Sequence, residues 1–242
     1  MRLDGPDIRG NKARFPTGIL ALAVFLTLLG SVLSGPIPSF AWGGFERGRY
    51  FCPPPADLAG VRSPADLRGE HYSPQENLEA IDVALIDGAK NTIEIAMYAF
   101  TDRRIADAVI RAASRGVRVW IYRDGIQIRD RGDKSRRILS SRAGRSGLVR
   151  IEVKDNSSRN IMHLKAYAID GTWLRTGSAN WSPFGEGAWC TRFRRPHWDQ
   201  QDNNLFVTDD PREVRKFEVL FRRIWSRGSN RTFRETPVER KF

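Results

Sequence analysis

The chain has 242 residues, a formal charge of +12 and a pI near 10.4. That length holds one sizeable domain, or one domain with appendages, and its 40% apolar content excludes a wholly disordered polypeptide. The surplus of cations excludes an acidic surface and favours polyanions, either nucleic acid or an anionic membrane face, although solvated arginines alone would produce the same balance.

Residues 1–41 read as a targeting segment. Arg2, Arg9, Lys12 and Arg14 precede an uncharged run over 18–33, which is shorter than the about 20 apolar residues of a membrane span. Gly35-Pro36-Ile37-Pro38 then breaks any helix, and Ser39-Phe40-Ala41 offers the small residues a signal peptidase reads. A secretory signal cleaved near Ala41 and an uncleaved amino-terminal anchor are both compatible. Either exports the rest, to a periplasmic or secreted location. Residues 42–70 form a Pro/Gly/Arg-rich linker or arm. Cys52 and Cys190 are the only cysteines. They are too isolated for a metal site, and in an exported protein they could form one disulfide.

The folded domain is expected over 71–228, with a polar tail over 229–242. Ser73-Pro74-Gln75-Glu76 reads as a helix start, with Ser73 as the cap and a helix running to Lys90. Residues 92–100 predict a strand with Ile93, Ile95 and Met97 on one face. Thr101 or Asp102 caps a second helix carrying Ile105, Ala108, Val109 and Ala112, which Gly116 stops. Residues 117–122 predict the next strand, so strand, helix and strand suggest a parallel pair. Residues 128–142 read as a cationic helix, 148–153 as a strand, and 203–208 as another. Asp210-Pro211 opens a last helix with Val214, Phe217, Leu220, Phe221 and Ile224 on one side. The fold class is α/β: a layered α/β/α sandwich around a mixed, partly parallel sheet.

The chemistry gathers at 163–180. Residues 163–169 predict a strand ending at Asp170-Gly171, with 172–176 returning. Positions two apart on a strand share a face, so His163 and Lys165 point the same way. The return strand brings Gly177, Ser178 and Asn180 to the same end. An imidazole, an ammonium, a hydroxyl and an amide in one place suit a phosphate diester. Singly, such a histidine is usually structural and such a lysine a solvated charge; the joint pattern carries the functional reading. His197 has no lysine two residues on, and His71 precedes a cap, so neither reads as catalytic. Arginines and aromatics interleave over 182–200, which suits either a substrate-facing loop or a packed surface.

His163-x-Lys165, four residues, Asp170, six residues and Gly177-Ser178-x-Asn180 resemble the HKD motif of the phospholipase D superfamily. Tyr98-Ala99-Phe100-Thr101 and Gln201-Asp202-Asn203 match its single-motif branch, which includes bacterial endonucleases and mitochondrial cardiolipin hydrolases. The resemblance implies a phospholipase D-like fold over about 73–225 and a phosphohistidine on His163. It further implies that Lys165, Ser178 and Asn180 bind the phosphate oxygens, that Asp170 holds the motif, and that Asp202 orients His163. The family residue before Asn203 is often Glu, one methylene longer than Asp202. Only one motif is present. A homodimer with a shared site is therefore implied, with no metal and no cofactor. Nucleic acid is the expected substrate and anionic phospholipid the alternative. A binding protein with a vestigial site is the non-enzymatic reading.

Overall fold

The computed structural model describes residues 63–155, 160–188 and 201–234. The leader, the arm up to residue 62, both cysteines and most of the Arg/aromatic loop lie outside the described residues. Eight strands form one sheet in the order β1-β7-β6-β5-β2-β3-β4-β8. They are β1 Gly69–Ser73, β2 Thr92–Met97, β3 Arg118–Arg123, β4 Val149–Val153, β5 Lys165–Ile169, β6 Trp173–Gly177, β7 Asn203–Thr208 and β8 Arg231–Thr232. Pairs β2–β3 and β3–β4 are parallel, and the other pairs are antiparallel.

Helices α1 Leu78–Asp87 and α2 Arg103–Ser114 cover one face of the sheet, and α5 Pro211–Trp225 covers the other. Two short helices, α3 Ser135–Ser140 and α4 Arg142–Arg145, lie between β3 and β4. Alternation along the central strands divides the core. Ile93, Ile95 and Met97 of β2, with Val119 and Ile121 of β3, pack with Ile81, Leu85, Ile105 and Val109. Ala96, Tyr122, Ala166 and Ala168 pack with Val214, Phe217, Phe221 and Ile224. This is the α/β/α sandwich expected from the sequence, and it follows from a period of two in strands buried on both sides.

Asp102 is the cap of α2, accepting from the Arg104 and Ile105 N–H groups at 2.7 and 3.2 Å. The first helix starts elsewhere than expected. Asn77 is its cap, and Ser73 ends strand β1 instead. The Ser73 hydroxyl donates to the Gln201 carbonyl at 2.9 Å and accepts from the Asn203 N–H at 3.2 Å. Pairing with β7, 130 residues away, outweighs the local capping pattern. The long helix expected over 128–142 is broken. Asp130 and Asp133 accept backbone N–H bonds from Gly132 and Ser135, turning the chain before α3. Part of the segment expected as a polar tail adds β8 to the edge of β4, with Asn230 bonded to the carbonyls of Ile224 and Trp225.

Candidate active site

The carboxyl ends of parallel β2 and β3 meet the beginning of antiparallel β5. Ligands in α/β sheets collect outside such carboxyl ends. His163 lies two residues before β5, with its side chain exposed. Its ring stands edge-on to Tyr98, with centroids 4.5 Å apart. The Lys165 ammonium lies 5.1 Å from the centre of the same Tyr98 ring and donates to the His163 carbonyl at 2.8 Å. The imidazole and the ammonium therefore converge on one aromatic side chain, whereas the sequence predicts only a shared direction, on a strand that begins at His163 rather than at Lys165. The sequence alone gives Tyr98 no role; its place just beyond a parallel strand is the signal that could find it.

Burial pushes the Lys165 ammonium down to about 8, with the Arg175 charge acting in the same direction. Burial and then Lys165 hold the His163 imidazole below its ordinary range, and Asp124 opposes them. A neutral imidazole beside a cation is a nucleophile next to a group that can hold phosphate oxygens.

Asn180 accepts from the Ala99 N–H through Oδ1 at 3.2 Å, which sets it beside the residue that follows Tyr98. Ser178 is tied to β7: its hydroxyl donates to Asn203 Oδ1 at 3.0 Å and accepts from the Asn204 N–H at 2.9 Å. Gly177 permits that approach, with φ 153°, since a Cβ there would meet the Leu205 Cα at 2.8 Å. Asp170 is at the opposite end of β5. Its carboxylate accepts from the N–H groups of Lys90, Asn91 and Thr92 at 2.8, 2.7 and 2.8 Å. It thus pins the turn that leads into β2. Asp202 is exposed, and among the described residues no hydrogen bond joins it to His163. His71 is engaged locally, with Nδ1 2.8 Å from Glu76 and Nε2 3.1 Å from the Leu67 carbonyl.

A buried ionic cluster supports the motif from below, and nothing local in the sequence announced it. Arg175 of β6 is fully buried and forks onto Asp82 of α1 at 3.0 and 2.9 Å. Its other nitrogen donates to the carbonyls of Lys165 and Ala179 at 3.1 and 3.3 Å. One guanidinium therefore holds both halves of the motif. Asp82 also accepts from the Tyr167 hydroxyl at 2.8 Å and Trp181 Nε1 at 2.7 Å. Burial, then the Asp82 charge, pushes the neighbouring Glu186 carboxyl well above its ordinary value. Removing Arg175 would strand a buried carboxylate, a change that costs about 3–5 kcal/mol.

A family model described as "Cardiolipin synthase, PLD-like domain" matches residues 83–225, which include every element from β2 to α5. The chain belongs to this PLD-like family. Mitochondrial cardiolipin hydrolase of Xenopus tropicalis is 28% identical over 137 residues, covering 57% of this chain and 56% of the relative. The Chlamydomonas reinhardtii protein of the same name is 26% identical over 188 residues, covering 76% and 74%. The chain thus spans little more than half the length of several curated relatives it matches. Among solved structures, the phospholipase D family member Nuc from Salmonella typhimurium is 23% identical, with TM-score 0.55, covering 69% of this chain and 97% of Nuc. NucT from Helicobacter pylori is 22% identical, with TM-score 0.56, covering 68% and 97%. At this identity the structural likeness establishes the PLD-like fold.

Proposed function

We propose that this PLD-like protein is a phosphodiesterase that works through a phosphohistidine, and that its substrate is nucleic acid cut without metal. The observation that carries the reading is the convergence of an exposed, neutral His163 and the Lys165 ammonium on Tyr98. In the first step His163 attacks phosphorus, a P–N bond forms and the ester P–O bond breaks. A protonated imidazole from a second copy of the chain gives its proton to the leaving alkoxide. In the second step that imidazole, now neutral, takes a proton from water as the water attacks phosphorus. The P–N bond breaks and His163 is restored. Lys165 and the Asn180 amide offset the charge on the non-bridging oxygens.

The charge of +12 supports nucleic acid as substrate, and so does the likeness to Nuc and NucT. Phospholipid is the second reading. The names of the curated relatives favour it, as do the exposed Ile126 and Ile161 in the segments beside His163. Among the described residues no cluster of three His, Cys, Asp or Glu side chains could hold a metal ion. Export and a homodimeric site remain part of this proposal.

The test is residues 42–242 incubated with plasmid, RNA and anionic phospholipid vesicles in EDTA, beside His163→Ala. Nicked plasmid without lipid turnover is the expected result. Lipid turnover alone would select the second reading. The His163→Ala variant should lose roughly ten-thousand-fold in turnover. Acid quenching should trap phosphate on the peptide that contains residue 163. Undiminished hydrolysis by His163→Ala would overturn the mechanism.

A further inference from the structure

Asp124 follows β3 at its carboxyl end and is fully buried. Its Oδ1 accepts from the Ile126 and Gln127 N–H groups at 2.9 and 3.1 Å. Its Oδ2 accepts from the Met162 N–H at 2.8 Å. One carboxylate therefore joins the loop after β3 to the residue that precedes His163. Arg123, the residue before it, carries a buried guanidinium. That guanidinium donates to the carbonyls of Met97 and Tyr98 and to the Asp133 carboxylate. Backbone N–H donors stabilise an ionised carboxylate. That charge acts on His163 and favours the protonated imidazole. Among the described residues, the groups that act on His163 are Lys165 from its own segment, the Tyr98 ring beyond β2, and Asp124 beyond β3 through its charge. Asp202, which the resemblance gives this task, has no bond to the imidazole among the described residues.

We infer that Asp124 is a positioning residue for His163: it fixes the backbone that carries the imidazole, and its buried negative charge supports the cation formed when that ring bonds to phosphorus. The inference rests on the proposed role of His163 as nucleophile. It makes the carboxylate after β3, rather than the one before β7, the partner of the reactive ring. The carboxylate is buried while the His163 ring is exposed, so water screens this support and it stays modest.

The experiment titrates the histidine ring protons of the full chain by NMR. The sequence holds 3 histidines, and His163→Ala assigns the relevant signal. Asp124→Asn should lower the His163 midpoint by about half to one pH unit. It should reduce kcat roughly 10- to 100-fold with little change in KM, as loss of a supporting partner does. Asp124→Glu, which keeps the charge on a longer stem, should restore the midpoint and part of kcat. Asp202→Asn and Asp133→Asn should leave the midpoint where it is. An unshifted midpoint in folded Asp124→Asn, or a shift produced by Asp202→Asn instead, overturns the inference. If Asp124→Asn does not fold, Asp124→Ser keeps a short acceptor for the loop without the charge and carries the same expectation. In the unmodified protein the Met162 amide should exchange slowly with solvent, and fast exchange would also refute the assignment. Activity retained by His163→Ala would instead remove the nucleophile reading and leave the titration result interpretable by itself.

Discussion

Lys165 is buried among strands, and its ammonium is pushed down to about 8 by that burial and by Arg175. In the proposed reaction it would hold phosphate oxygens only while charged. The rate should therefore fall as pH rises through about 8, and Lys165→Arg should keep a lower rate constant to higher pH, because a guanidinium stays protonated. A pH profile of kcat/KM for the two proteins checks this. Asp170 belongs to the same motif but serves stability. Its three N–H bonds anchor the turn into β2, at an aspartate with φ 54°. Asp170→Ala should cost about 2–3 kcal/mol, seen as a lower Tm, while kcat of the folded fraction stays within a few-fold. His163, Lys165 and Asn180 were legible as a group because their spacing matches a strand, a turn and a return. Arg175 and Asp82 were not, because a buried pair 93 residues apart leaves no periodic trace.

Helix α5 packs its apolar side on β2, β5 and β6, and places Glu218 and Arg222 near Glu94. Burial, then the Glu218 charge, pushes the Glu94 carboxyl up to about 7, and Arg222 acts against them. One oxygen of Glu94 is buried without a hydrogen bond among the described residues. The folded state therefore holds this proton more tightly than the unfolded chain does. The benefit is complete below the unfolded value of 4.5 and is lost as pH rises through about 7. Glu94→Gln should raise stability at pH 8 by about 1 kcal/mol, after allowance for solvent screening at this half-buried position, and by almost nothing at pH 4. Denaturant melts at both pH values test it. The helices α2 and α5 were legible because each combines an apolar stripe with an acidic cap. The start of α1 was misplaced because Ser73-Pro74 imitates a cap, while the hydroxyl of Ser73 is committed to a strand partner.

At the scale of the whole molecule, one motif provides one imidazole, and the proposed reaction uses two. The protein should therefore sediment at twice its 27.5 kDa chain mass, less whatever leader is removed, and its specific activity should fall on dilution. Analytical ultracentrifugation across the assay range decides this, and a fully active monomer would contradict it. Within one chain, the mixed sheet brings the ends of β2, β3 and β5 together, so the site draws on segments from Tyr98 to Asn180.

The amino-acid sequence by itself determined the α/β class, the central strands, the capped helices α2 and α5, and the identity of the motif residues. Each of these is encoded in neighbours or in short periods, which a linear reading can detect. Only the tertiary structure decided that Ser73 and residues 231–232 join the sheet, that Arg175 clamps both halves of the motif, and that Asp124 is tied to the Met162 N–H next to His163. Those depend on strand order and burial, which bring distant charges together in a low dielectric where their interaction is strong.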